Sequence, residues 1–199
     1  MRKLLLFVFI VVGTKSLIAQ SFGYKMIAGF NFCQIDGDQM GGYNKLGYRF
    51  GVASFVNVKD KDEVGLEITY SLKGSRTANN PDNPPPFIVK YSYGYVEFPI
   101  YYQKQIKKFG VRVALVPGYV VKGKEDRGGG FTTQDNLRKF ELSSILGANY
   151  KINNNLAFYM HYQYSITSII DRTKPQSSVY WRKGVYNNII SAGLQLSFN

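Results

Sequence analysis

Three observations predict an all-β fold, specifically an eight-stranded antiparallel transmembrane β-barrel with four long extracellular loops and three short periplasmic turns. Segments of roughly a dozen residues alternate apolar and polar side chains, and about eight such segments follow one another. Alternation with a period of two indicates a β-strand. Strands of this length with one apolar face are typical of barrels that cross a bilayer. The spacers between them alternate long and short, which is the loop asymmetry of outer-membrane barrels.

A leader precedes the predicted barrel. Residues 1–19 read as a cleavable signal peptide, with two early cations, the apolar run Leu4–Gly13 and the small residue Ala19 before the predicted cut. The run is too short to cross a membrane as a helix, and polar residues interrupt it directly afterwards. We therefore favour a signal peptide over a membrane anchor. Residues 20–199 are then expected to form one barrel domain.

The first three strands show the clearest alternation. Phe22–Cys33 carries aromatic and aliphatic side chains on one face and polar or small ones on the other. Tyr48–Val58 follows a loop rich in Gly, Asp and Asn. After a charged turn at residues 59–62, Glu63–Leu72 alternates almost perfectly. The next segment, 74–90, contains four prolines, which cannot donate to a strand ladder, so it is predicted to be a loop.

Five further segments complete the predicted barrel. They are Tyr91–Gln103, Gly110–Val121, Leu137–Tyr150, Leu156–Thr167 and Val185–Phe198. Short turns rich in Lys or Asn follow the first and third of these segments, and longer loops follow the second and fourth. With an even number of strands, both chain ends are expected on the periplasmic side.

Charged residues decide which face meets lipid. Exposing glutamates to hydrocarbon costs on the order of several kcal/mol, so the polar faces are predicted to point inward. The interior of an eight-stranded barrel is just wide enough to be filled by side chains. We predict that the three glutamates of this interior pair with its two arginines and with Lys25. The predicted lumen charge network, with a structural role, is Arg49, Glu67, Glu97, Arg112, Glu141 and His161. The alternative role is a proton or ion pathway.

The chain is strongly basic. Its formal net charge is +12, which becomes +9 without the three leader cations Arg2, Lys3 and Lys15. The leader argues against a nucleic-acid partner, so an anionic membrane surface is the better candidate. We expect outer-membrane lipid, the phosphates of lipopolysaccharide or other outer-membrane proteins to meet cations near the long loops. These cations are Lys122, Lys124, Arg127, Arg172, Lys174, Arg182 and Lys183.

Aromatic residues fall into two predicted groups. Tyr91, Tyr93 and Tyr95 share the face of Glu97 and should line the upper lumen. The other group should form interfacial girdles near the short turns and the long loops. Its members are Tyr101 and Tyr102, and then Tyr43, Tyr48, Tyr180 and Trp181.

The sequence offers little catalytic chemistry. His161 is the one histidine and Cys33 the one cysteine, so no zinc ligand set is available. A triad would need a serine beside His161, and Ser143, Ser144 and Ser165 are candidates by residue type only. Asp36 and Asp38 lack the later acidic ligand of a calcium loop. We expect no catalytic, cofactor or metal site and no enzymatic activity.

One segment resembles a known family. Residues 95–104, Tyr-Val-Glu-Phe-Pro-Ile-Tyr-Tyr-Gln-Lys, resemble the Tyr-hydrophobic-Glu-hydrophobic-Pro-hydrophobic strand of the PorT-like outer-membrane β-barrel family of Bacteroidetes. Weaker matches are Gly110–Tyr119, Phe140–Tyr150 and Tyr162–Ile166. The predicted strand Leu137–Tyr150 departs from the family pattern, with Glu141 and Ser143 where Asp and Gly are common. The resemblance implies an outer-membrane location, and one family member is implicated in type IX secretion and gliding. Within the motif, Pro99 should mark a bulge or the periplasmic end of its strand.

Three hypotheses for function follow. The first is a small, non-enzymatic outer-membrane barrel that serves as a structural or accessory subunit, secretion-related if the PorT-like resemblance extends to role. The second is a narrow porin or ligand-binding barrel. The third is a soluble lipocalin-like carrier, which would put its apolar face inside and its glutamates outside.

Overall fold

Ten antiparallel strands make up the described part of the chain. A computed structural model describes residues 22–58, 62–78, 82, 85, 88–133, 137–170 and 184–198, so the predicted leader at 1–19 lies outside the described residues. Within them the strands are β1 (Phe22–Asp36), β2 (Lys45–Asn57), β3 (Glu63–Arg76), β4 (Lys90–Glu97), β5 (Ile100–Ile106), β6 (Phe109–Asp126), β7 (Phe131–Thr133), β8 (Phe140–Lys151), β9 (Leu156–Ser165) and β10 (Tyr186–Phe198). This part of the chain contains no helix long and apolar enough to span a membrane.

The strands close into a ring. Their order is β2-β1-β10-β9-β8-β6-β4-β3, and β2 also pairs with β3. The first and last strands pair from Tyr24 opposite Phe198 to Asp36 opposite Tyr186. We call each of the eight positions in the ring a stave. Strands β4 and β5 both lie between β3 and β6, so together they form one stave. Strand β7 pairs only with the end of β6, outside the ring. The predicted eight-stranded antiparallel barrel is therefore confirmed.

The two faces of the sheet have opposite chemistry. Outward positions are large and apolar, as at Phe30 and Leu66, which are 60% and 47% exposed. Inward positions include charged residues that are almost completely covered, such as Arg49 at 2%. An apolar outer wall around a polar interior is the arrangement that a barrel in lipid requires. The opposite arrangement, expected of a lipocalin-like carrier, is not found in the described residues.

The connections between staves alternate in length. Residues 37–44, 77–89, 127–139 and 166–185 connect the staves at one end of the barrel, which we call the long-loop end. Residues 58–62, 107–108 and 152–155 connect them at the other, the short-turn end. The first loop is shorter than predicted because β1 and β2 extend into it. Likewise β3 continues to Arg76, four residues beyond its predicted end.

Pro99 interrupts a strand without shifting its register. Glu97 lies opposite Gly118 and Ile100 lies opposite Leu115, so each strand advances by three residues across the gap. Pro99 has no N–H to donate, but its carbonyl still accepts from the Glu67 N–H at 2.9 Å. The predicted bulge is therefore wrong. The strand does break at Pro99, as β4 ends at Glu97, but it resumes at Ile100, so Pro99 is not the periplasmic end. The consequence is that residues after Pro99 keep the inward and outward alternation set before it.

A charge introduced on the lipid-facing outer wall should destabilise the barrel. Ile68 is half exposed on the outer face and lies opposite Val52 on the neighbouring strand. Ile68→Arg should destabilise the folded barrel by about 2–4 kcal/mol because the guanidinium would face hydrocarbon. Urea unfolding in lipid vesicles measures this loss, with Ile68→Ala as the uncharged control. Equal losses in both variants would contradict a lipid-facing position.

Candidate functional site

The middle of the lumen holds one acid between two arginines. The Glu67 carboxylate accepts from Arg49 Nη2 at 2.9 Å through one oxygen and from Arg112 Nη1 through the other. Arg112 also donates from Nε and Nη2 to Gln103 Oε1, at 3.2 and 3.0 Å. We call Arg49, Glu67, Gln103 and Arg112 the central cluster. All four side chains are buried, so the attraction between these ions offsets their desolvation, and losing one partner would be costly.

A second cluster lies nearer the long-loop end and has a lysine at its centre. Lys73 Nζ lies 2.6 Å from Glu97 Oε1 and 3.2 Å from Glu141 Oε1. We call these three residues the upper cluster. Gln163 donates to Glu97 at 2.7 Å, and Asn187 donates to Glu141 at 2.9 Å. These amides add hydrogen bonds to the two carboxylates, as buried ions require.

Lys73 is the functional residue that the sequence analysis missed. Ending the third strand at Leu72 placed Lys73 at the edge of a loop, although it continues the alternation of Glu63 to Ser71. The predicted pairing of Glu97 and Glu141 with arginines is accordingly wrong, because their partner is Lys73. Lys25 is also paired differently from the prediction, since its ammonium contacts Glu63.

His161 lies in a structural environment. Its Nε2 is 3.1 Å from Asn149 Oδ1, and its ring centroid is 4.5 Å from that of Tyr159. Gly147 lies directly opposite on β8, where a Cβ would collide with the imidazole. Ser143 and Ser165 donate to Glu141 instead of contacting this ring. The described residues therefore do not assemble the serine triad considered from the sequence.

Tyr101 belongs to the interior. It is 2% exposed, and its ring lies 3.9 Å from the Arg112 guanidinium. Its prediction as a girdle residue is wrong because the strand keeps its register through Pro99, which turns Tyr101 to the same side as Glu97. Its neighbour Tyr102 is 41% exposed and donates to Asp62 at 2.6 Å, as suits a residue near the water interface.

An apolar cluster fills the lumen above the charged residues. Tyr93 and Tyr95 reach it from β4, and Ile169 and Ile170 reach it from the segment after β9. Its remaining buried members are Ile35, Val120 and Val185. Tyr91 packs against its edge, so all three tyrosines predicted to line the upper lumen are found there. The described lumen is thus occupied by charge clusters in its middle and by apolar side chains at its long-loop end.

A β-bulge decides where two of the predicted surface cations point. The register between β4 and β6 shifts between Gly94 and Tyr95. Tyr95 pairs with Val120, whereas its neighbour Gly94 pairs with Lys122. Val121 is the extra residue, so Val120 is buried whereas Val121 and Lys122 are both exposed. The alternation then resumes in the opposite phase. Lys122 and Lys124 would face the lumen in a regular strand, and the bulge places them on the outside.

The other predicted surface cations differ in their settings. Arg127 is exposed at the end of β6 and forms an ion pair with Glu125. The hydrogen bond and the charge of Glu125 raise the pKa of Arg127. Lys124 and Lys90 both approach the ring of Phe131, at 5.7 and 5.5 Å from its centroid. The remaining predicted cations, Arg172, Lys174, Arg182 and Lys183, lie outside the described residues.

Two acids near the long-loop end accept hydrogen bonds from neighbouring residues. Asp38 accepts from the Met40 N–H at 2.8 Å and from the Ser75 hydroxyl. Burial raises the pKa of Asp38, although these hydrogen bonds act in the opposite direction. Asp36 instead faces Gln34 and Asn188. Among the described residues, no group of three or more His, Cys, Asp and Glu side chains is placed to hold a metal ion.

Comparisons with known proteins agree with this geometry. Residues 18–171 match a family described as outer membrane protein beta-barrel domain. Neisserial surface protein A has the same fold, with a TM-score of 0.56 and 14% identity over 90% of this chain and 99% of its own. Ail, the attachment invasion locus protein of Yersinia pestis, was solved in complex with the heparin analogue sucrose octasulfate, and that structure gives a TM-score of 0.53 and 13% identity over 89% of this chain and 99% of Ail. No curated protein matches the sequence.

The upper cluster predicts a large cost for removing its lysine. Lys73→Met would leave two buried carboxylates without their cation, so the free energy of unfolding should fall by about 3–5 kcal/mol. Urea unfolding in vesicles measures the change, and Lys122→Met on the outer surface is the matched control. Adding Glu97→Gln and Glu141→Gln to Lys73→Met should recover most of the loss. A Lys73→Met barrel as stable as wild type would refute this account of the cluster.

Proposed function

The chain belongs to the outer membrane protein beta-barrel domain family, and from this premise we propose that it is a closed, non-enzymatic barrel that acts through its long-loop end and outer wall. The family and the fold place it in the outer membrane. We further propose that residues 1–19 are removed as a signal peptide. The short turns and both chain ends would then lie in the periplasm.

The observation that carries this proposal is the filled lumen. Each of the four acids buried along the described lumen contacts a buried lysine or arginine, and the apolar cluster lies above them. An ion entering this interior would lose its hydration and would have to separate ion pairs that are already formed, at a high cost in free energy. This supports a closed barrel over the alternative of a narrow porin. It also leaves the two ends and the outer wall as the surfaces available to partners.

Planar-bilayer recording tests closure directly. Purified barrel inserted into a bilayer should produce no steady open-channel current, because the charge clusters and the apolar cluster occupy the lumen. A porin of known conductance, inserted under the same conditions, is the positive control. A steady current from the folded wild-type protein would favour the narrow porin and reject the closed barrel.

The long-loop end offers a cationic surface for an anionic partner. Lys122 and Lys124 point outward on β6, and Lys139 is exposed directly before β8, the neighbouring strand. Lysines just outside the apolar band suit phosphates at the lipid surface. Ail, which shares the fold, has been solved with a polysulfated ligand, and this supports a polyanion as partner. Lipopolysaccharide phosphates are the partner we propose for this surface.

A protein partner is the second form of the same proposal. The barrel would then be an accessory subunit of an outer-membrane complex, and the PorT-like resemblance of residues 95–104 suggests a secretion-related one. The exposed hairpin of β6 and β7, with Phe131 half exposed between Lys90 and Lys124, supports a contact surface here. The two forms differ in what the same lysines bind.

Charge reversal tests both forms. The double variant Lys122→Glu, Lys124→Glu should weaken binding of lipopolysaccharide or of the soluble probe sucrose octasulfate by about tenfold or more, since each lysine near an anionic surface contributes about 1 kcal/mol. Calorimetry on the detergent-folded barrel measures this. The matched control is Lys107→Glu, Lys108→Glu, which makes the same charge change at the short-turn end.

A mild-detergent pull-down with the same variants examines the accessory-subunit form. A protein that co-purifies with wild type and with the short-turn control, but not with Lys122→Glu, Lys124→Glu, would support it. If all variants bind the polyanions and any co-purifying protein equally, Lys122 and Lys124 do not form the binding surface.

A further inference from the structure

The short-turn end of the lumen contains an open cavity. Its volume is about 360 Å³, within the range of about 300–1,000 Å³ typical of small-molecule sites. The ends of several staves and the turn at residues 153–155 form its wall, and Gln103, Asn149 and Gln195 are buried on its inner side. This cavity is separate from the long-loop surface and is closed from it by the central and upper clusters.

Side-chain amides dominate the lining. Seven of the fourteen lining residues are amides, namely Asn57, Gln103, Asn149, Asn153, Asn154, Asn155 and Gln195. An amide presents an acceptor oxygen beside an N–H₂ donor. Neighbouring hydroxyl groups of a sugar offer the complementary set, because each hydroxyl can both donate and accept. The lining therefore fits a neutral ligand that is rich in hydroxyl or acetamido groups.

One of these amides has an unused donor. Gln195 is 1% exposed, and its Oε1 accepts from Asn149 Nδ2 at 3.2 Å. Its Nε2 has no hydrogen-bond acceptor among the described residues. A buried N–H₂ group without an acceptor destabilises the protein. An oxygen of a ligand in the cavity would supply the acceptor.

The charges that line the cavity are nearly balanced. Lys25 forms an ion pair with Glu63, and its ammonium lies 4.3 Å from the centroid of the Phe55 ring. Lys151 is the remaining lining cation. Because Lys25 and Glu63 compensate each other, Lys151 leaves the lining with a single net positive charge. The uncharged amides are therefore the main polar groups that the lining offers to a ligand.

We propose that this cavity, bounded by Gln195, Asn149 and the asparagines of the 153–155 turn, binds a neutral saccharide unit. The buried N–H₂ group of Gln195 would bind the ligand at the inner end of the site, and the turn asparagines would bind it at the rim. The ligand would enter from the side of the membrane that the short turns face. The proposal does not depend on the partner at the long-loop end.

Calorimetric titration of the detergent-folded protein tests the site, with two neutral trisaccharides as probes. One is the trimer of N-acetylglucosamine and the other is maltotriose. Saturable binding of at least one is expected, and the preference between them tells an acetamido sugar from a plain glucose polymer. If neither binds, the proposal is overturned.

Two variants locate the binding. Ala157 lines the cavity, so Ala157→Phe should fill it without removing a polar group and weaken binding about tenfold or more. Gln195→Met removes the unused donor at similar volume and should weaken binding several-fold. Lys108→Ala, in a short turn but outside the lining, is the matched control and should bind as wild type does. Gel mobility with and without heating verifies that each variant is folded, and Gln195→Met decides the outcome if Ala157→Phe does not fold. Wild-type affinity in the folded cavity variants would also overturn the proposal.

Discussion

Pairing of β1 with β10 is the interaction on which the rest of this structure depends. In hydrocarbon an unpaired backbone N–H or C=O costs several kcal/mol, so a sheet can cross a bilayer only when its last edge closes on its first. Closure with eight staves leaves an interior that side chains must fill. Each inward charge must then find a partner within that space. The arrangement of Glu67 between two arginines, and of Lys73 between two glutamates, follows from this requirement.

The two charge clusters have reciprocal designs. In the central cluster one carboxylate serves two guanidinium groups, whose extra N–H donors are taken up in part by Gln103. In the upper cluster one ammonium serves two carboxylates, whose extra lone pairs accept from serines and amides. Removing Glu67 or Lys73, the ion that its cluster shares, would leave two buried like charges without a counter-ion.

Two local irregularities in the same stave have opposite effects. At Pro99 the ladder loses a donor but keeps its register, so Tyr101 remains inside against Arg112. At Gly94 the ladder gains a residue on the opposite strand, so Lys122 and Lys124 turn outward. An extra residue in one strand therefore reverses which side chains face the lumen, whereas a missing hydrogen bond does not. The bulge also divides the β6 stave into a lumen-lining part and a surface part that carries the lysines.

The number of staves, the pairing of neighbours and the direction of most side chains follow from the sequence alone, because a period of two and the cost of a charge in lipid are both local properties. Arg49, Glu67 and His161 could be placed inside from these alone. Which ion meets which could not be predicted, because lumen partners lie many residues apart and depend on the stagger of the closed ring. Lys73 was missed because strand ends are set by the neighbouring strand. The outward turn of Lys122, the inward position of Tyr101 and the unused donor of Gln195 likewise depend on register, which only the closed tertiary structure fixes.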